Sequence, residues 1–202
     1  MGSAEHVSTV IPTPFVAARL ERIFDACFYA RYHTRLFGGA AEPVYQPGGA
    51  ASKCNALYYR EDYFASALHE VSHWCIAGAQ RRQQPDFGYW YAPEGRNLNQ
   101  QREFESVERK PQALEWYFSK ACGYRFQVSV DNLALANAGL HDATAFQHAV
   151  LEQAVIWQRE GLPARAAVFY QALCCEFGTV VPAAQLHFSL VELIHTPEPL
   201  PQ

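Results

Sequence analysis

The residues that could do chemistry gather in Leu68-His69-Glu70-Val71-Ser72-His73-Trp74, an H-E-x-x-H string inside a run with helical character. Side chains four apart share a helix face, so both imidazoles can reach one metal ion with the Glu70 carboxylate close by. Two imidazoles leave a coordination sphere incomplete, and a third protein ligand must come from elsewhere. The segment Glu103 to Trp116 offers Glu105, Glu108, Gln112 and Glu115 at spacings of three, four and three, one stripe of a helix. Phe104, Val107 and Leu114 can anchor that helix to a core and turn the stripe toward a cleft. One carboxylate of the stripe is the expected third ligand, with Glu105 and Glu108 ahead of Glu115. Asp86, thirteen positions beyond His73, is the alternative, and spacing does not choose among them because folding brings a distant ligand into place.

Such a trio serves two chemistries. With zinc, Glu70 would polarise a water for attack on a carbonyl or phosphoryl group, giving a hydrolase, either a peptidase or a nuclease. With Fe(II), three protein ligands leave positions open for O₂ and substrate, chemistry that zinc lacks because it has no accessible redox states. A binding module that uses the metal only for stability fits less well, since open coordination beside an acidic stripe suits catalysis better than a closed structural site.

Around these residues the chain reads as alternating helices and short strands. Thr13-Pro14 opens a first helix carrying Val16, Leu20, Ile23, Phe24 and Cys27 at helical spacing. Gly38-Gly39 and Pro47-Gly48-Gly49 punctuate a loop with a short extended piece at Val44-Tyr45. Ala56 to Tyr59 reads as a strand, followed by the motif helix with Asp62 as N-cap and Gly78 near its end. The aromatic run Asp86 to Tyr91 is β-prone and closes on Pro93-Glu94-Gly95. A second helix spans Glu103 to about Cys122, with a strand expected at Phe126 to Val130. Asp142 or Thr144 caps a helix through Arg159 that stops at Gly161; Pro163 begins another that ends before Gly178, and Pro182 begins a short one. The expected architecture is α+β: one domain over residues 1–202, a small mixed sheet surrounded by several helices, and a loose tail at about 197–202.

Composition narrows the classes. With 202 residues, half of them hydrophobic and 14% aromatic, the chain can bury a sizeable core. A formal net charge of -4 supplies no basic stripe, so direct nucleic-acid binding is not expected. No apolar stretch approaches the ~20 residues of a membrane helix, and no membrane association is expected. Six cysteines form no C-x-x-C pair, and Met1 to His6 show no basic segment leading into an apolar run. The expectation is a cytoplasmic protein with free thiols. His33, His141, His148, His187 and His195 stand singly and are not read as ligands.

The strings His69 to Gly78, Asp86-Phe87-Gly88-Tyr89-Trp90-Tyr91-Ala92-Pro93, Phe104-Glu105, Val107-Glu108 and Lys110-Pro111-Gln112-Ala113-Leu114-Glu115-Trp116 closely resemble the bacterial elongation factor P hydroxylase family, most strongly over about residues 55 to 135. The resemblance implies an oxidoreductase that hydroxylates the lysine of elongation factor P already carrying a β-lysyl group, at a non-haem iron site of two histidines and one carboxylate. Carried over, His69 and His73 become iron ligands, O₂ becomes a co-substrate, and Glu70 is free to bind an ammonium, orient a ligand or relay protons. A β-lysyl-lysine side chain has a long apolar stem and positive charge, so its pocket should pair aromatic walls with acids. Tyr89 and Tyr91 are the candidate walls, alongside Trp90 and Trp116. Asp86 and Glu115 are the candidate acids, alongside Glu94, Glu105 and Glu108.

Overall fold

Leu20, Ile23 and Phe24 are buried along one side of the first helix, α1 (Ala17–Tyr32), in the computed structural model of the protein, which describes residues 15–49, 53–86, 96–130 and 143–194. Thr13 and Pro14 lie outside the described residues, and α1 begins after Val16, which occupies the N-cap. His33, in the left-handed region with φ 48°, ends the helix and turns the chain directly into β1 (Thr34–Ala40).

That strand falls where Gly38-Gly39 suggested a loop. The sheet is completed by β2 (Val44–Gln46) and β3 (Asn55–Arg60) in the order β1-β3-β2, with β1 parallel and β2 antiparallel to the central strand. Gly38 belongs in β1 because a Cβ there would lie 2.6 Å from the Tyr59 hydroxyl. Glu21 of α1 ties that spot together, its Oε1 accepting from the Gly38 N–H at 3.0 Å and from the Tyr59 hydroxyl at 2.8 Å. Gly39, with φ +83°, sits where the register shifts between Phe37 and Ala40. The glycine pair therefore marks a close approach and a bulge within a strand.

Helix α2 (Phe64–Ile76) carries the H-E-x-x-H string. Tyr63, not Asp62, is its N-cap, with no side-chain cap, so its stability comes from burial of Phe64, Ala67, Leu68, Val71, Trp74 and Cys75. Its last turn is held by cations, as the negative end of a helix dipole favours. Arg165 donates to the carbonyls of Trp74 and Ala77 at 3.1 and 2.5 Å, and Arg82 donates to Ala77 as well.

Helix α3 (Leu98–Cys122) starts a turn earlier than the apolar spacing suggested, because Asn97 and Gln100 build a capping box: Asn97 accepts from the backbone of Asn99 and Gln100, and Gln100 from that of Asn97. Gly123, with φ 67°, ends it. The strand expected at Phe126 to Val130 does not form. At its end the backbone is met by side chains of α3 and of Arg96 just before it: Gln112 bonds both the N–H and the carbonyl of Ser129 at 3.0 and 2.7 Å, and Gln101 and Arg96 donate to the Val130 carbonyl. Phe126 stacks on Trp116 with ring centroids 5.7 Å apart. Of the run Asp86 to Tyr91, Asp86 alone is described; it exchanges two backbone bonds with Tyr45 on the outer edge of β2.

Among the described residues, three further helices pack on the core: α4 (Thr144–Glu160), α5 (Ala164–Phe177) and α6 (Leu190–Ile194). Gly161 and Gly178 end the first two as expected, while Pro182 opens only a single 3-10 turn. Phe24, Phe28, Trp74, Phe118 and Phe169 mesh edge to face where α1, α2, α3 and α5 meet. The fold is α+β, with α3 running through its centre. All six cysteines are free. No helix among the described residues is long and apolar enough to cross a membrane.

Candidate metal centre

His69 and His73 lie one turn apart on the side of α2 that faces α3. The opposite side of α2 is fixed by the buried Leu68, Val71, Trp74 and Cys75, which sets the side of the helix that the two rings occupy. Their Nε2 atoms stand 3.1 Å apart. From α3, Glu108 places Oε1 3.2 Å from His73 Nε2 and Oε2 3.5 Å from His69 Nε2. Metal bonds of ~2.0–2.2 Å put neighbouring ligand atoms about 3 to 3.5 Å apart, so the two imidazole nitrogens and the Glu108 carboxylate, which reaches one nitrogen with each oxygen, are spaced as the ligands of one ion would be. Among the described residues, this is the group of His, Cys, Asp and Glu whose ligand atoms converge closely enough to hold a metal.

The donor set fits a cation in a second respect. Glu108 is 4% exposed, and its Oε2 is buried without a hydrogen-bond partner. A charged oxygen left that way is costly unless something positive faces it. Burial alone would raise the Glu108 pKa. The adjacent His73, the His69 charge and the Gln112 amide outweigh that and hold it down at about 2. Burial likewise disfavours charge on His69, yet the bond to Glu115 and the charges of Glu115, Glu108 and Glu70 raise its pKa to about 10. Positive charge is what this spot stabilises, whether it arrives as a proton or as a metal ion.

Glu115 lies two turns beyond Glu108 on the same face of α3, and its Oε2 accepts from His69 Nδ1 at 2.8 Å. Sequence reasoning offered Glu115 both as the third-ranked metal ligand and as a substrate acid; the structure puts it against the back of the first histidine. The seven-residue spacing between Glu108 and Glu115, two full turns, was the available signal. Glu70 is half-buried, and burial pushes its carboxyl pKa up against the pull of His69 and His73, with Glu108 and Glu115 adding to the rise.

The remaining candidates are placed elsewhere. Glu105 takes the Gln101 amide at 3.0 Å, one turn short of the convergent donors. Asp86 is engaged by Arg81, whose Nη2 lies 3.1 Å from Oδ1, at the outer sheet edge. Tyr89, Trp90, Tyr91 and Glu94 lie outside the described residues. Trp116 is 2% exposed, packs against Phe126 and Phe188, and borders a surface hollow with Lys120 and Tyr124, away from the convergent donors. Gln112 carries a role its place on the acidic stripe did not reveal, pinning the Ser129 backbone and supporting Glu108.

Comparison with known proteins bears on what the arrangement does. The family model described as elongation factor P hydroxylase matches residues 23–188. The chain is also similar to the elongation factor P lysine hydroxylase of Haemophilus influenzae, 46% identical over 157 residues that span 78% of this chain and 86% of that protein. The matched family region contains α2 and α3 whole, and with them every residue of the candidate centre.

Proposed function

The chain belongs to the elongation factor P hydroxylase family, and from that premise we propose that it hydroxylates the β-lysylated lysine of elongation factor P at an Fe(II) centre held by His69, His73 and Glu108. The observation that carries the assignment of ligands is the convergence of their donor atoms at 3.1, 3.2 and 3.5 Å on a buried helix face. The H-E-x-x-H string alone would equally serve a zinc hydrolase; the relatives favour the hydroxylase.

Iron bound by three protein ligands keeps open positions and supplies the activation of O₂ needed to put oxygen into an unactivated C–H bond. The protein's own groups do the rest. Glu108 neutralises charge at the centre and, with Glu70 and Glu115 nearby, gives the cleft the negative character that a substrate ammonium seeks. Glu70, its carboxyl raised by burial, is the group we assign to holding and passing a proton beside the reacting carbon. Tyr89 and Tyr91 are proposed as walls for the apolar stem of the modified lysine, with Asp86 anchoring their segment to β2. The whole chain is proposed to act as one domain, in the cytoplasm, where its substrate protein works.

The test is mass spectrometry of β-lysylated elongation factor P incubated with the purified protein, Fe(II), a reductant and oxygen. A gain of one oxygen atom on the modified lysine is expected, absent without O₂ and absent with His73→Ala. No gain with any of several reductants, together with cleavage of peptide or phosphodiester bonds by the zinc-loaded protein, would replace hydroxylation with hydrolysis.

A further inference from the structure

The two histidines are not held alike. His69 has a buried acid behind it, with Glu115 Oε2 2.8 Å from Nδ1. Among the described residues, no side chain bonds the Nδ1 of His73; its contacts run through Nε2, to His69 and Glu108. Among the described residues, one ring is thus held from behind and the other is met only on its Nε2 side.

We infer that Glu115 is a positioning residue: by accepting the Nδ1 proton of His69 it fixes the tautomer and plane of that ring, so that the Nε2 lone pair is presented to the metal. This rests on the metal site proposed above. Three observations support it. The bond uses the ring nitrogen opposite the one that meets His73 and Glu108, so it cannot compete with coordination. Glu115 is 8% exposed, which leaves it little water to bond instead and makes the contact with His69 strong. Its place is set by a rigid neighbourhood, since Ala113, Leu114, Trp116, Tyr117 and Phe118 around it are all buried. A carboxylate behind a metal-binding imidazole is worth ~10–100-fold in metal affinity when removed.

The experiment titrates the metal-stripped protein with Zn(II) against a competing chelator and follows the zinc-loaded form by NMR. Wild type should show a slowly exchanging Nδ1–H proton of His69 far downfield, as expected of a proton shared with a carboxylate. Glu115→Ala should bind zinc ~10–100-fold more weakly and lose that signal. Glu115→Gln, which keeps an acceptor but not the charge, should fall between and move the signal upfield; it also serves if the alanine variant fails to fold. Zinc affinity within about twofold of wild type in a folded Glu115→Gln or Glu115→Ala, with the proton signal unmoved, would overturn the inference while leaving the ligands in place. If His69→Ala and His73→Ala bind zinc as tightly as wild type, the metal site itself fails and the inference falls with it.

Discussion

Glu105 and Glu115 stand on the same stripe of α3, ten residues apart, yet they live in different surroundings. Around Glu105 the helix is covered on one side only: Arg102, Glu103 and Ser106 are exposed, while Gln101 and Phe104 are buried. The polar groups there form a lateral chain in which Arg96 donates to Gln101 and Gln101 donates to Glu105, with the Arg96 guanidinium 4.1 Å above the Phe104 ring. From Pro111 to Ser119 every residue is buried, pressed between α2 on one side and α4 and α5 on the others. Glu108 lies at the border between these regimes. Helical spacing identifies the face a carboxylate belongs to. Its depth along that face is fixed by where the neighbouring helix crosses, and the carboxylates then meet different groups: the Gln101 amide at Glu105, and imidazoles at Glu108 and Glu115.

The sharpest way to break this contrast is to remove the border residue. Glu108→Ala takes away the one carboxylate that spans both Nε2 atoms, so hydroxylated product should fall to background and bound iron should be lost on elemental analysis, with the far-UV circular dichroism unchanged. The fold does not depend on the metal because the core formed by α1, α2, α3 and α5 is closed without it. If Glu105→Ala abolished iron binding and Glu108→Ala did not, the boundary drawn along α3 would be in the wrong place.

The buried half should also impose a pH dependence of its own. His69 has its pKa raised from 6.5 to about 10, so in metal-stripped protein its imidazolium stabilises the folded state. That contribution is fully present below pH 6.5 and is lost as the pH climbs toward about 10. Metal binding must expel the same proton, and affinity should therefore rise with pH through this window by up to about tenfold per unit. Glu108 behaves in the opposite sense: its pKa is depressed from 4.5 to about 2, and its contribution, present above 4.5, is lost as pH falls through about 2. Chelator competition and chemical denaturation at several pH values measure both effects. His69→Ala should flatten the alkaline slopes, and an unchanged slope in that variant would assign the titration to another group.

Much of this site could be read from the sequence, for a physical reason. His69 and His73 share a helix turn, so their meeting depends only on α2 forming, and the acidic stripe needed only α3. What could not be read was the pairing between helices. That Glu108 and not Glu105 approaches both histidines, and that Glu115 meets the far nitrogen of His69, depends on the register of α3 against α2, which no local pattern encodes. The same limit explains the misread strands. Gly38 looks like a loop residue until Tyr59 and Glu21, from β3 and α1, occupy the space a side chain would need. Phe126 to Val130 has strand composition, but its backbone partners are Gln112, Gln101 and Arg96 side chains, which no β-propensity anticipates.

Gln112 gives the contrast a stability measure. Its amide both donates to and accepts from the Ser129 backbone, and it is 1% exposed. Gln112→Ala strands that pair and leaves a cavity, and should lower unfolding free energy by ~1–3 kcal/mol. Gln100→Ala, in the exposed capping box, should cost only about 1 kcal/mol or less. Urea denaturation compares the two, and equal costs would mean that burial does not separate the halves of α3.

The smallest effect is the most telling about the stripe itself. Glu105→Gln keeps a side chain of the same length, and its carbonyl can still accept from Gln101. At a half-buried surface position such a change is worth no more than ~0.5 kcal/mol, so iron content should match wild type and the rate of lysine hydroxylation should stay within about twofold. If the rate fell tenfold while iron stayed bound, the surface half would contribute to the reaction after all. Glu105 would then act beyond the metal ligands, on the positively charged substrate, and the stripe would have to be treated as one continuous acidic track leading toward the histidines.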